Sequence, residues 1–86
     1  MWYVYAIYSK SFNRIYVGMS EEPERRLKEH NKRKVKSTRP YVIWKIVMKK
    51  EAGTSKEARR LEKYYKSAAG KRRIKKIIES LGSLPD

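Results

Sequence analysis

Trp2-Tyr3-Val4-Tyr5-Ala6-Ile7-Tyr8, followed after a polar interval by Ile15-Tyr16-Val17-Gly18, is the stretch that decides how this chain folds. In the first run Trp2, Val4, Ala6 and Tyr8 alternate with Tyr3, Tyr5 and Ile7, so β-branched and aromatic side chains fall on both faces. A strand useful on both faces belongs at the centre of a sheet. Ser9 to Asn13 is polar and turn-prone, and the two runs therefore predict a hairpin whose register can bring Tyr5 and Tyr16 near each other. The apolar opening is too short to cross a bilayer, with no basic segment ahead of it and no small-residue cleavage site behind it. No membrane partner is expected.

Outward from the hairpin the composition turns charged. Ser20 can cap a helix, Pro23 is tolerated in a first turn, and Glu21, Glu22 and Glu24 sit where a helix N-terminus favours negative charge, so a helix to about Asn31 is predicted. Its one clear apolar anchor is Leu27, which implies shallow packing and a large polar face. Lys32, Arg33, Lys34, Lys36 and Arg39 follow without periodicity, and Pro40 discourages helix just before it. This is a basic loop and the expected nucleic-acid-binding segment. Val42, Trp44, Ile46 and Met48 alternate with Ile43, Lys45 and Val47 as a third strand that Gly53 closes. Thr54 with Glu57 has capping-box spacing ahead of a helix whose stripe is Ala58, Leu61 and Tyr65. Past the small residues Ser67 to Gly70, the spacing of Ile74, Ile77, Ile78 and Leu81 predicts a last helix with Gly82 as its left-handed cap. One domain over residues 1–82 and a tail over 83–86 are expected.

Composition narrows the partner. Twenty-three Lys+Arg against nine Asp+Glu give a net charge of +14 and a pI near 10.2. Such a chain repels itself until a polyanion neutralises it, and nucleic acid is the default polyanion. With no cysteine, disulfides, thiol nucleophiles and thiolate zinc sites are excluded, and a reducing cytoplasm is compatible. His30 is the only histidine, which excludes a histidine-cluster metal site. A monomer is the expected state.

Several side chains invite two readings. Glu62 lies about 65° from the centre of the Ala58, Leu61 and Tyr65 stripe at roughly 100° per residue, so it flanks the buried face. There it is either a partly desolvated metal ligand or the structural partner of a lysine or arginine. Arg26 and His30, four apart, share a ridge beside Leu27 and can face one cleft, although a solvated helix face explains each alone. The strand tyrosines, Trp2 and Trp44 read first as packing.

Tyr3-Val4-Tyr5, then Tyr16-Val17-Gly18, then Arg26-Leu27 with His30, Ser37-Thr38-Arg39-Pro40, and Glu57-Ala58-Arg59-Arg60-Leu61-Glu62 together resemble the GIY-YIG nuclease pattern over nearly the whole chain. Tyr3 stands where that family's first glycine often does, and a later asparagine of some members has no counterpart. The resemblance implies an α/β fold of the α+β kind, a three-stranded antiparallel sheet flanked by about three helices with a cleft on the sheet. It also implies hydrolysis of DNA with one divalent cation, Mg²⁺ or Mn²⁺. Residue by residue it implies Tyr5 and Tyr16 as motif tyrosines, Arg26 as the phosphate-binding arginine, His30 as an accessory group and Glu62 as the metal ligand.

The chemistry asks for the same residue types. A phosphodiester repels nucleophiles, so hydrolysis needs a cation on the phosphate, an activated water and charge relief at the leaving oxygen. Glu62 with waters suits Mg²⁺, and Arg26 suits the developing charge. Tyr5 or Tyr16, its proton affinity lowered by metal and neighbouring cations, suits proton removal from water. The leading expectation is a cytoplasmic endonuclease acting in repair or processing of branched, damaged or single-stranded DNA. The alternative is a non-catalytic basic module on the same fold.

Overall fold

The computed structural model describes residues 1–82; the expected tail, 83–86, lies outside them. The order of elements is β1 (Trp2–Ser9), β2 (Arg14–Ser20), α1 (Pro23–Asn31), a short 3-10 turn (Arg39–Tyr41), β3 (Lys45–Gly53), α2 (Ser55–Lys66) and α3 (Ala68–Ser80). The strands form one antiparallel sheet in the order β2-β1-β3, an α+β fold with the two-faced apolar strand at its centre.

Alternation along β1 divides the core into two layers. Val4, Ala6 and Tyr8 join Val17 and Met48 on one face, beneath Ala58 and Tyr65 of α2 and Ile74 and Ile78 of α3. Tyr5 and Ile7 face the other way with Trp44, covered by Leu27 of α1 and flanked by Tyr16, Tyr41, Val42 and Ile46. The helical stripes read from the sequence thus close the first layer, while Leu27 is the one α1 side chain packed into the apolar cluster of the second and the buried His30 adds a polar group.

Local chemistry explains where the helices begin. The Thr54 hydroxyl accepts the Glu57 N–H at 3.2 Å and donates to the Glu57 carboxylate, so Thr54 caps α2 with Glu57 folded back onto its hydroxyl. Ser67 caps α3 by accepting the Gly70 N–H at 3.2 Å. A Cβ at Gly70 would collide with the Tyr64 carbonyl and Tyr65 Cα, so a side chain there would force α2 and α3 apart.

Four expectations need correction. Ser20 does not cap α1: it accepts the Glu22 N–H at 2.9 Å, and the N-cap Glu22 has no side-chain cap. The third strand begins at Lys45, not Val42, and Ile43 is exposed. The reason is Asn31, whose amide accepts the Trp44 N–H at 2.7 Å and donates to the Trp44 carbonyl at 3.0 Å, taking that peptide out of the ladder. Leu81 is the exposed C-cap of α3 rather than core, although Gly82 does take the left-handed conformation at φ +65. His30, for which the sequence leaves a cleft-facing group and a solvated helix face both open, is fully buried, so the solvated reading falls.

Candidate active site

The site assembles at the β2 side of the sheet. In the hairpin register Tyr5 stands opposite Gly18 and Ile7 opposite Tyr16, which makes the two tyrosines diagonal neighbours on the α1 face, with ring centroids 6.5 Å apart. Gly18 lets Tyr5 lean outward: a Cβ there would stand 2.7 Å from the Tyr5 hydroxyl and 3.1 Å from the Tyr16 ring. From α1, the His30 ring fits against both, 4.9 Å from the Tyr16 centroid and 6.1 Å from that of Tyr5.

A buried hydrogen-bond line fixes this cluster. The Thr38 hydroxyl donates to the Val35 carbonyl at 3.4 Å, so it accepts from His30 Nδ1–H at 2.7 Å. That assigns the proton to Nδ1 and leaves the Nε2 lone pair for the Tyr5 hydroxyl, which donates to it at 3.0 Å. Every polar atom of a fully buried imidazole is thereby satisfied, which is what allows histidine into the core. Burial pushes His30 down to about 4, with the Arg26 charge acting the same way.

Burial also pushes the Tyr5 phenol up to about 12, with Tyr16 and Glu62 adding to the rise and Arg26 opposing it. With these neighbours the Tyr5 phenol stays neutral and donates its hydrogen bond to His30. Tyr16 is the less enclosed phenol, half-buried where Tyr5 is 1% exposed.

Arg26 is held from behind. Its Nη1 donates to Glu29 at 2.6 Å, an ion pair that raises the arginine and holds the Glu29 carboxyl below its usual range; Arg25 reaches the same carboxylate at 3.1 Å. Glu62, whose side chain is 15% exposed, has the exposed Lys66 ammonium at 3.5 Å. At that distance, with half the lysine in solvent, the pair is weak, and carboxylate oxygen lone pairs remain for a hard cation. Among the described residues no three His, Asp or Glu side chains gather into a metal cluster. One part-buried carboxylate fits Mg²⁺, which keeps most of its waters and borrows phosphate oxygens.

Lys32, Arg33, Lys34, Lys36 and Arg39 are all exposed, and none makes an ion pair among the described residues. The loop is pinned from inside by Thr38, buried against His30, whose carbonyl accepts the Trp44 indole N–H at 3.0 Å. A second basic surface escaped the sequence reading. Lys56, Arg59, Arg60, Lys63, Lys66, Lys71, Arg72, Arg73, Lys75 and Lys76 line the exposed sides of α2 and α3, and among the described residues Lys66 alone of these has an acidic partner. Their i, i+4 spacings, such as Arg59 to Lys63 and Lys71 to Lys75, carried that signal. Glu29 was also legible, three residues beyond Arg26; the pairing of Thr38 with His30 was not, since nothing local announces it.

A three-stranded antiparallel sheet with three helices, its hairpin tyrosines packed on His30, is the fold of a nuclease-type domain. The chain belongs to the GIY-YIG family, whose catalytic domain it matches over residues 1–76. Domains of this family are nucleases that act on DNA and generally depend on a divalent metal. No curated protein and no solved structure shows significant similarity to the chain. No helix of the described residues is long and apolar enough to cross a membrane.

Proposed function

We propose that this protein is a divalent-metal-dependent endonuclease that hydrolyses phosphodiester bonds in DNA, serving repair or processing of branched or damaged DNA in the cytoplasm, and acting as a monomer. What supports the reading is the family match together with the packing of Tyr5, Tyr16 and His30 into one cluster, with the Tyr5 hydroxyl bonded to His30 and Arg26 on the same helix as His30.

Glu62 is the metal ligand, and Mg²⁺ or Mn²⁺ bound there supplies positive charge to the phosphate oxygens and lowers the proton affinity of the attacking water. Arg26 turns its fork from Glu29 to a non-bridging phosphate oxygen and offsets the charge that develops in the transition state. Tyr16, the phenol with an open side, acts in its ionised form, taking the proton from the attacking water as the P–O bond to the leaving oxygen breaks and that oxygen is protonated from solvent. Tyr5 stays protonated and, with His30 and Thr38, fixes the ring against which Tyr16 packs; His30 is a positioning residue. Lys32, Arg33, Lys34, Lys36 and Arg39 hold the backbone on either side of the scissile bond. Labelled single-stranded, duplex and branched DNA, incubated with Mg²⁺, Mn²⁺ or chelator, tests the proposal. Cleavage should require the ion and disappear in Glu62→Ala.

One observation favours the non-catalytic module as a second reading. Both groups that hydrolysis needs free already have internal partners, Arg26 with Glu29 and Glu62 with Lys66. On that reading DNA binding is salt-sensitive and indifferent to Glu62.

A further inference from the structure

On the sheet face that carries both tyrosines, a second aromatic group stands beside the β1–β2 turn. Phe12, the only phenylalanine in the chain, sits in that turn and is 51% exposed. Its ring meets Tyr41 edge-on with centroids 5.5 Å apart, and Tyr41 meets the buried Trp44 edge-on at 6.5 Å. Arg14 lays its guanidinium over the Tyr41 ring, 4.4 Å from its centroid. Trp44 is anchored in turn through its indole N–H and through both polar groups of its peptide. The exposed ring is therefore the outer layer of a stack fixed from below.

A single exposed apolar side chain is ordinary on a protein surface. This one differs in its company. Arg39 opens the 3-10 turn that ends in Tyr41, so one short segment carries a loop cation and a ring. Arg14 and Tyr16 lie two residues apart on β2, hence on one face, with about 7 Å between them along the strand. A partner with an apolar face would cover Phe12 but strand Arg14 and Arg39 beside it, in a chain of net charge +14. A nucleobase suits both, because its flat face stacks on rings and guanidinium planes while its phosphate meets the cations.

We propose that Phe12, Tyr41 and Arg14 form a stacking platform for an unpaired nucleobase, placed so that a strand held there runs on to Tyr16. This rests on the nucleic-acid reading above and narrows its substrate class. Bases within a duplex already stack on each other and offer no free face, so the platform selects DNA that is single-stranded, looped or open at a branch point.

The test compares two labelled single strands of equal length, one with ordinary bases and one of abasic sugars, binding in chelator so that no cleavage occurs. The phosphates are the same in both, so counterion release cancels in the ratio of affinities. The wild-type protein should bind the base-containing strand roughly tenfold more tightly, Phe12→Ala should bring the two together, and Phe12→Trp should restore the difference. A triple change of cations outside the platform, Lys10→Gln with Lys45→Gln and Lys50→Gln, should weaken both strands alike and keep the ratio. Thermal melting of Phe12→Ala checks that the exposed position leaves folding intact. Equal affinity of the wild type for both strands, or an unchanged ratio in a folded Phe12→Ala protein, overturns the platform. Because the measurement involves no hydrolysis, its failure is separable from that of the nuclease reading, which Glu62→Ala tests by cleavage.

Discussion

The Tyr5 hydroxyl occupies the space that a side chain at Gly18 would fill, with 2.7 Å between it and an ideal Cβ. Tyr5 is 1% exposed and its hydroxyl is committed to His30, so the ring has nowhere to retreat. Gly18→Ala should therefore destabilise the fold by about 1–3 kcal/mol, the usual range for overpacking, and lower cleavage by shifting Tyr5 and Tyr16 together. Urea unfolding read beside a cleavage rate checks it; stability within a few tenths of wild type would show that the ring yields.

The two motif tyrosines should separate by experiment. Tyr5→Phe leaves His30 Nε2 without its donor in a fully buried site, and an orphaned buried acceptor costs about 1–3 kcal/mol. Tyr16→Phe removes a hydroxyl from a half-buried ring and should cost little stability while slowing cleavage by about 10²–10⁴-fold, the range for a missing proton-transfer group. Comparing kcat and unfolding free energy for both variants distinguishes the roles; the reverse pattern would exchange them.

Acid should weaken the fold through His30. Its ordinary 6.5 falls to about 4 on burial, so between those values the unfolded chain holds a proton that the folded chain does not. Stability is then complete above about 6.5 and erodes as pH falls toward 4, by at most on the order of 3 kcal/mol. Below 4 the pairs of Glu24 and Glu29, whose carboxyls sit below their usual range, add further loss. Unfolding free energies from pH 4.5 to 7 should show this slope, and His30→Gln should flatten it; an equal slope in the variant would assign it elsewhere.

The basic loop should govern affinity rather than rate. Lys34 and Lys36 are exposed and without ion pairs among the described residues. Replacing both with alanine should weaken duplex DNA binding and reduce the slope of log K against log salt by up to about 0.9 for each phosphate that is no longer neutralised. An unchanged slope would assign the phosphates to the cations of α2 and α3 instead.

Much of the fold is legible because it is local. The two-faced pattern of residues 2–8 gives the central strand, Thr54 with Glu57 gives a helix start, and the isoleucines of α3 give its buried stripe. Misreadings arise where distant residues intervene. Val42 to Trp44 alternate like strand, yet Asn31 takes the Trp44 peptide before β3 can begin. His30 looks like a surface residue because its partners, Tyr5 and Thr38, lie 25 and 8 positions away. Leu81 keeps the helical period but falls where α3 has ended. For the site, the resemblance to the GIY-YIG pattern names Tyr5, Tyr16, Arg26 and Glu62, where residue types and spacing alone leave packing, a solvated face or a structural ion pair open. They do not show which phenol is buried, nor that Glu29 already occupies Arg26, since both depend on packing.

Cleavage and binding measured side by side on Glu62→Ala, with Mg²⁺ present and absent, bear most directly on the claim that this site is hydrolytic. The account predicts at least a hundredfold loss of Mg²⁺-dependent cleavage with DNA affinity in chelator close to wild type. Cleavage that survives the substitution at the wild-type rate would contradict it.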